Sequence, residues 1–220
     1  LCCRLGRSGC RGGRRLAAFS SAVRTLVLPL AAQLRATHPR VELTVTELDP
    51  QRSHPALRRG EQDIIVTADF IDGSTPIDPD VHTVPLLVDA VVLVLPPTGD
   101  IPAAPADLAD FAPAPWSVDL PGTYLSNLVL SRCRQAGFEP AVAGRFASYD
   151  LLLAHVAAGL SVSLLPELAV DRSRVAVRPL REPLTRQVYA AVRSSAALTP
   201  ASRAVLVLYG VCALFGLIAL

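Results

Sequence analysis

The chain has 220 residues, 51% of them hydrophobic, 18% charged and 5% aromatic. So large an apolar share can offset the entropy of ordering, which excludes intrinsic disorder over most of the chain, and the length allows one large domain or two small lobes. The net charge is +2, but five arginines and no acid fall in residues 1–15. The other 205 residues therefore carry −3, which argues against a nucleic-acid surface on the folded part.

All 21 basic residues are arginine, the mark of a GC-rich genome rather than of a function, and methionine is absent even from position 1, as expected of a fragment or processed chain. The five cysteines (Cys2, Cys3, Cys10, Cys133, Cys212) form neither a CxxC pair nor a His/Cys spacing suited to zinc. Cys133 on a helical apolar face and Cys212 in an apolar tail read as small buried hydrophobes. The odd, unpatterned count suits a reducing compartment, and no apolar core follows the basic start as a signal peptide requires, so a cytoplasmic location is expected.

Residues 1–13, four of them glycine and with no apolar period, read as a disordered basic arm. Leu16–Phe19 is a short buried strand. Val23, Leu26, Val27, Leu30, Ala31 and Leu34 then follow a helical period, with Ser20-Ser21 as the N-cap signal and Pro29 as a kink or a later start. His38-Pro39 ends the helix. Val41–Thr46 alternates as a strand with one wet face, Ser53–Arg59 is a short helix closed by Gly60, and Asp63–Thr67 is a buried strand. Strands alternating with helices indicate a mainly parallel sheet.

Residues 70–82 read as loop. Val84–Leu95 is almost continuously apolar and about twice the usual strand length, so two strands end to end, one in each lobe, are expected. A small helix around Asp107–Phe111 and a strand at Trp116–Val118 follow. The next helix carries Leu125, Leu128, Val129, Arg132, Cys133 and Ala136 and ends at Gly137. Residues 142–146 form a strand, Ser148 caps a helix running to Ala158, and Gly159 takes the left-handed closing position. Leu160–Leu165 is a buried strand, Val175–Val177 and Val188–Val192 are short strands, and Pro200 opens a last helix.

The segments AAFSSAVRTLVLPLAAQLRATHPRVELTVTE, LRRGEQDIIVT, VPLLVDAVVLVLP and AHVAAGLSVSLLP, in that order and spacing, resemble the effector-binding domain of LysR-type transcriptional regulators from about Arg14 to Arg203. The resemblance implies an α/β fold of two Rossmann-like lobes joined by two crossover strands, similar to type 2 periplasmic binding proteins. Lobe one would take residues 14–88 plus 187–220, and lobe two 89–186. It also implies a small-molecule effector held between the lobes, closure or reorientation of the lobes as the signal, and side-by-side pairing into a homo-oligomer. Such regulators reach DNA through an N-terminal winged helix-turn-helix, whose pattern residues 1–15 do not show. A solute-binding protein of a transport system is the alternative of the same fold.

In open α/β sheets ligands bind beyond the carboxyl ends of the strands, where helix N-termini offer free N–H groups. Four such ends carry small polar residues: Ser20-Ser21, Thr67 with Asp69, Gly122-Thr123 and Ser148-Tyr149. Capping is the alternative reading of each, and the resemblance favours Ser21 and Thr123 as ligand contacts. Hydroxyls at helix N-termini suit a carboxylate or another small anion. His38, His54, His82 and His155 are scattered without a metal-binding motif, and no nucleophile elbow or phosphate loop is present, so neither an enzyme nor a cofactor is expected. The tail Ala204–Leu220 holds no charge. As a helix it would reach about 26 Å, short of a bilayer core of about 30 Å. The resemblance makes it the closing helix of lobe one, with a non-native end or a membrane span as alternatives.

Overall fold

The computed structural model of the chain describes residues 13–39, 41–70, 79–98 and 104–195. The expected basic arm except Gly13, most of the loop at 70–82, the helix after Pro200 and the apolar tail lie outside the described residues. The chain divides into two compact units, Leu1–Val88 with Gln187–Leu220, and Asp89–Arg186.

Unit one opens with β1 (Arg14–Ala18), which runs into α1 (Ser20–Ala22), a π-helical turn (Val23–Val27) and α2 (Leu28–Thr37). The expected serine cap is displaced. Phe19 is the N-cap residue in an extended conformation, its carbonyl accepts the first helical bond from Val23, and Ser20 and Ser21 are already helical. Phe19 is buried, so the core draws the turn into the helix one residue early. Pro29 does not break the helix. Lacking an N–H to give Thr25, it sits in the first turn of α2, and the backbone widens into the π-helical turn just before it. The stripe of Leu26, Val27, Leu30 and Leu34 is buried as its period requires.

β2 (Leu43–Glu47), α3 (Pro50–Arg58) and β3 (Ile64–Phe70) follow. The helix begins three residues ahead of the expected Ser53, because Asp49 caps it, its Oδ1 accepting from Gln51 N at 2.9 Å, and Pro50 suits a first helical turn. β1 pairs in parallel with β2 and with β3 (Ala18 opposite Glu47 and opposite Val66), and β9 (Leu184–Arg193) neighbours β3. Ala17, Leu57, Ile65, Tyr189 and Ala191 form a core between this sheet and α3.

β4 (Val81–Leu95) is one 15-residue strand where two were expected, and the two units divide along it after Val88. In unit two its second half pairs antiparallel with β7 (Ser163–Pro166) and β8 (Ala176–Arg178). β5 (Pro115–Val118) pairs in parallel with β6 (Ala141–Arg145) and is followed by α4 (Tyr124–Gln135), while α5 (Tyr149–Ala157) follows β6. The expected helix near residue 107 is a single 3-10 turn, Leu108–Phe111, headed by Asp107. Trp116 is fully buried, and its indole N–H donates to Phe111 O at 3.1 Å.

The expected strand 160–165 starts later, at Ser163, preceded by one bridge between Val162 and Trp116. Ser161 is drawn instead into a hydrogen-bonded chain: its Oγ lies 2.8 Å from His155 Nδ1 and 2.7 Å from Ser117 Oγ. His155 thus ties α5 to the segment ahead of β7. Asp89, the only acid in the long apolar run of β4, meets a buried arginine: its Oδ2 accepts from Arg186 Nε at 3.0 Å and Nη2 at 2.7 Å, and Oδ1 from Leu168 N at 3.1 Å.

Candidate functional site

In unit one the register decides which residues meet. Because Ala18 lies opposite Val66, the carboxyl ends of β1 and β3 finish at one edge of the sheet, and Ser20-Ser21 and Thr67–Asp69 follow there together. Ser20 is half-buried and Ser21 buried, and the Ser21 carbonyl accepts from the Thr25 hydroxyl at 2.8 Å. Thr67 is 1% exposed, and its Oγ1 has no hydrogen-bond partner. An unsatisfied buried hydroxyl costs about 1–3 kcal/mol, so a group without a fold partner at a strand end is a candidate for ligand contact.

Asp69 is half-buried, and its Oδ2 receives a short hydrogen bond from the Tyr189 hydroxyl, which lies 2.8 Å from His54 Nε2. Neither Tyr189 nor His54 was a candidate by sequence. Tyr189 is one of several apolar-run residues in its strand, and His54 lies mid-helix in α3; no local pattern marks either as a partner of a residue on β3.

In unit two Val118 lies opposite Arg145, so β5 and β6 also end at one edge, with Gly122-Thr123 after one and Ser148-Tyr149 after the other. Thr123 is the N-cap of α4. Its Oγ1 accepts from Ser126 N at 3.2 Å and donates to Leu120 O at 2.9 Å, so its proton and one of its two lone pairs serve the cap. Gly122 precedes it at φ +82°, a left-handed conformation that L side chains rarely adopt. Ser148 holds the N-cap position of α5 without a side-chain cap bond, its carbonyl accepting from Leu151 N and Leu152 N, and Tyr149 is half-buried. Ser126, which the sequence reading passed over, is fully buried in the first turn of α4 and its Oγ has no partner.

Charges elsewhere serve the fold. Burial alone would raise Asp63, but hydrogen bonds from Arg15 and its charge hold the carboxyl below the usual range. Burial of Asp89 outweighs Arg186 and pushes its carboxyl up. Burial pushes the Cys133 thiol up to about 12, which leaves it an inert apolar group. A cavity of about 100 Å³ in unit two is lined by Asp107, Arg132, Gln135, Leu180 and Arg181 among others. Arg132 stands nine residues along α4 from Thr123, so this cavity is separate from the strand-end residues of unit two. Among the described residues no three His, Cys, Asp or Glu side chains gather to hold a metal, and no helix is long and apolar enough to cross a membrane.

Residues 8–209 match the family model of the LysR substrate binding domain. The chain belongs to this family. Its relatives include a probable HTH-type transcriptional regulator, LrrA of Synechococcus elongatus, 29% identical over 195 residues that cover 87% of this chain. The chain spans 64% of LrrA's length. Among solved structures it is similar to the C-terminal domain of a probable LysR family transcriptional regulator from Rhodococcus sp. RHA1, with a TM-score of 0.75, 27% identity, and coverage of 90% of this chain and 98% of that one. The effector binding domain of QuiR in complex with shikimate shares the fold, with a TM-score of 0.71 and 17% identity over 90% of this chain and 95% of that one. The LysR substrate binding domain described here accordingly has the mixed α/β fold of the type 2 periplasmic-binding-protein class.

Proposed function

We propose that this LysR substrate binding domain is the ligand-sensing part of a transcriptional regulator. A small molecule bound through Ser20, Ser21, Thr67 and Asp69 shifts the domain between conformations, with Gly122, Thr123, Ser148 and Tyr149 as the candidate contacts of unit two, and that shift biases DNA-reading heads supplied by an N-terminal winged helix-turn-helix of the whole protein. The whole regulator works in the cytoplasm as a homo-oligomer, and the domain catalyses nothing. The observation that carries the reading is the buried, unpartnered Thr67 hydroxyl at the edge it shares with Ser20 and Ser21. The helix N-termini beside these hydroxyls suit an anionic group, a carboxylate above all. The relatives, which are regulators, favour sensing over solute transport.

The test is a thermal-shift screen of small carboxylates against the full chain, followed by titration of any hit. Thr67→Val, which removes one hydroxyl at constant volume, is expected to weaken the hit by roughly tenfold, the worth of one buried hydrogen bond. Undiminished affinity in both Thr67→Val and Ser21→Ala places the ligand elsewhere.

A further inference from the structure

We infer that the strand-end site of unit one selects a ligand bearing a protonated amine, received by the Asp69 carboxylate, with Tyr189 and His54 as positioning residues. The inference rests on the reading of Thr67 and Asp69 as ligand contacts.

The hydrogen bonds run in one direction. An ionised carboxylate only accepts, so the Tyr189 hydroxyl gives its proton to Asp69 Oδ2. The Tyr189 oxygen then accepts from His54, whose proton must sit on Nε2, the ring nitrogen 2.8 Å away. A chain of two donors from α3 and β9 thus ends on one oxygen of Asp69 and fixes the carboxylate's orientation. Oδ1, the other oxygen, accepts from no described residue.

The charge is equally unbalanced. Asp63, just ahead of β3, is flanked by Arg15 at 3.1 Å and Arg193 at 3.5 Å. Asp69 forms no ion pair among the described residues. It lies on β3, six residues after Asp63 in the chain and so about 20 Å from it at the rise of a strand, beyond a Debye length at physiological salt. Asp69 is therefore a half-buried, oriented acceptor at a strand end, with no cation paired to it among the described residues. An anionic group there meets a like charge, whereas an ammonium supplies both the missing charge and the donors. Thr67, two residues earlier and so on the same face of β3, adds a buried hydroxyl able to accept from the same group. Joined to an acidic group at the helix N-termini, the amine makes the ligand a zwitterion of the amino-acid kind.

The smallest probes separate the two charges: methylammonium carries the amine alone, acetate the carboxylate alone, and glycine both. Each is titrated into the full ¹⁵N-labelled chain while the amide signals of Thr67, Ala68 and Asp69 are followed. Methylammonium and glycine are expected to give saturable shifts there. Asp69→Asn, which keeps an acceptor for Tyr189, should weaken methylammonium at least about tenfold and leave acetate unchanged. Tyr189→Phe should lower the preference for methylammonium over acetate, a ratio that a merely structural loss would not move. Saturable binding of acetate at Thr67 with none of methylammonium, or equal affinity of methylammonium for wild type and Asp69→Asn, overturns the amine but leaves the ligand site standing. No saturable shift at these amides from any of the three probes overturns both.

Discussion

Asp63 and Asp89 each sit beside an arginine, yet their carboxyls move in opposite directions. At Asp89 burial is the larger effect: the side chains of Asp89 and Arg186 are 3% and 1% exposed, and desolvation penalises the charged form more than the arginine favours it. At Asp63, still 14% exposed, the bonds from Arg15 prevail over burial. The consequences for stability have opposite signs. The contribution of Asp63 is present above the ordinary carboxylate range and is lost as pH falls through its lowered folded value. That of Asp89 is greatest below the ordinary range and is lost as pH rises through its raised folded value. Urea unfolding followed from about pH 2 to pH 7 checks both. Asp63→Asn should flatten the loss of stability on the acid side, and Asp89→Asn should remove a decline on the way to neutral pH. Cutting the buried pair on one side strands a charge, so Asp89→Ala should cost about 3–5 kcal/mol at neutral pH, whereas Asp89→Leu with Arg186→Met should recover most of it. A double variant no more stable than Asp89→Ala would show that the pair is irreplaceable.

At the scale of elements, α5 closes as its sequence predicts. Gly159 sits at φ +76°, with Gly159 N donating to Val156 O at 2.9 Å and Leu160 N to His155 O at 3.2 Å, the paired bonds of a left-handed helix end. The same bonds close α3 at Gly60 and α4 at Gly137. Nothing lies within 4 Å of where a Cβ would stand on Gly159, so Gly159→Ala should cost only the backbone penalty, about 1–2 kcal/mol, and Gly159→Asn less. Gly144 on β6 poses the converse problem. Its backbone is ordinary, but a Cβ would come 2.6 Å from Phe146 Cε2 and 3.3 Å from His155 Cε1. Gly144→Ala should therefore cost about 1–3 kcal/mol through forced repacking of these two rings, seen as a lower urea midpoint and a shift of the His155 ring signals. An unchanged His155 signal would locate the cost elsewhere. The helix ends were legible because glycine there answers a local backbone requirement. The start of α3 is equally local, with Asp49 as the cap and Pro50 in the first turn, three residues ahead of the serine from which the sequence reading began it.

For the whole molecule, charge makes the clearest prediction. Beyond the first fifteen residues the chain carries −3, so duplex DNA should be attracted only by the basic start, without sequence preference and with steep loss as salt rises. Fluorescence anisotropy with two unrelated duplexes at about 50 and 200 mM salt measures this. Tight binding that distinguishes the duplexes at the higher salt would contradict it. The two strand-end sets were recognisable at this scale because strand–helix junctions follow from the alternation of elements. Their chemistry was not: Thr123 caps α4 through its hydroxyl, while Thr67 holds an unpartnered buried hydroxyl.

The alternation of strands and helices, the left-handed helix ends and the burial of Cys133 rest on interactions within a few residues, and the order of such segments was enough to indicate the family. Contacts between distant strands rest on which strands become neighbours and in which register, information that no local period carries. Tyr189 reaches Asp69 across 120 residues and Arg186 reaches Asp89 across 97. In sequence Arg186 and Tyr189 are two of several polar-tipped residues of β9, alongside Thr185, Gln187 and Arg193. In the fold Tyr189 donates to the half-buried Asp69 at the strand edge and Arg186 pairs with the buried Asp89, contacts that exist only because β9 packs beside its neighbours.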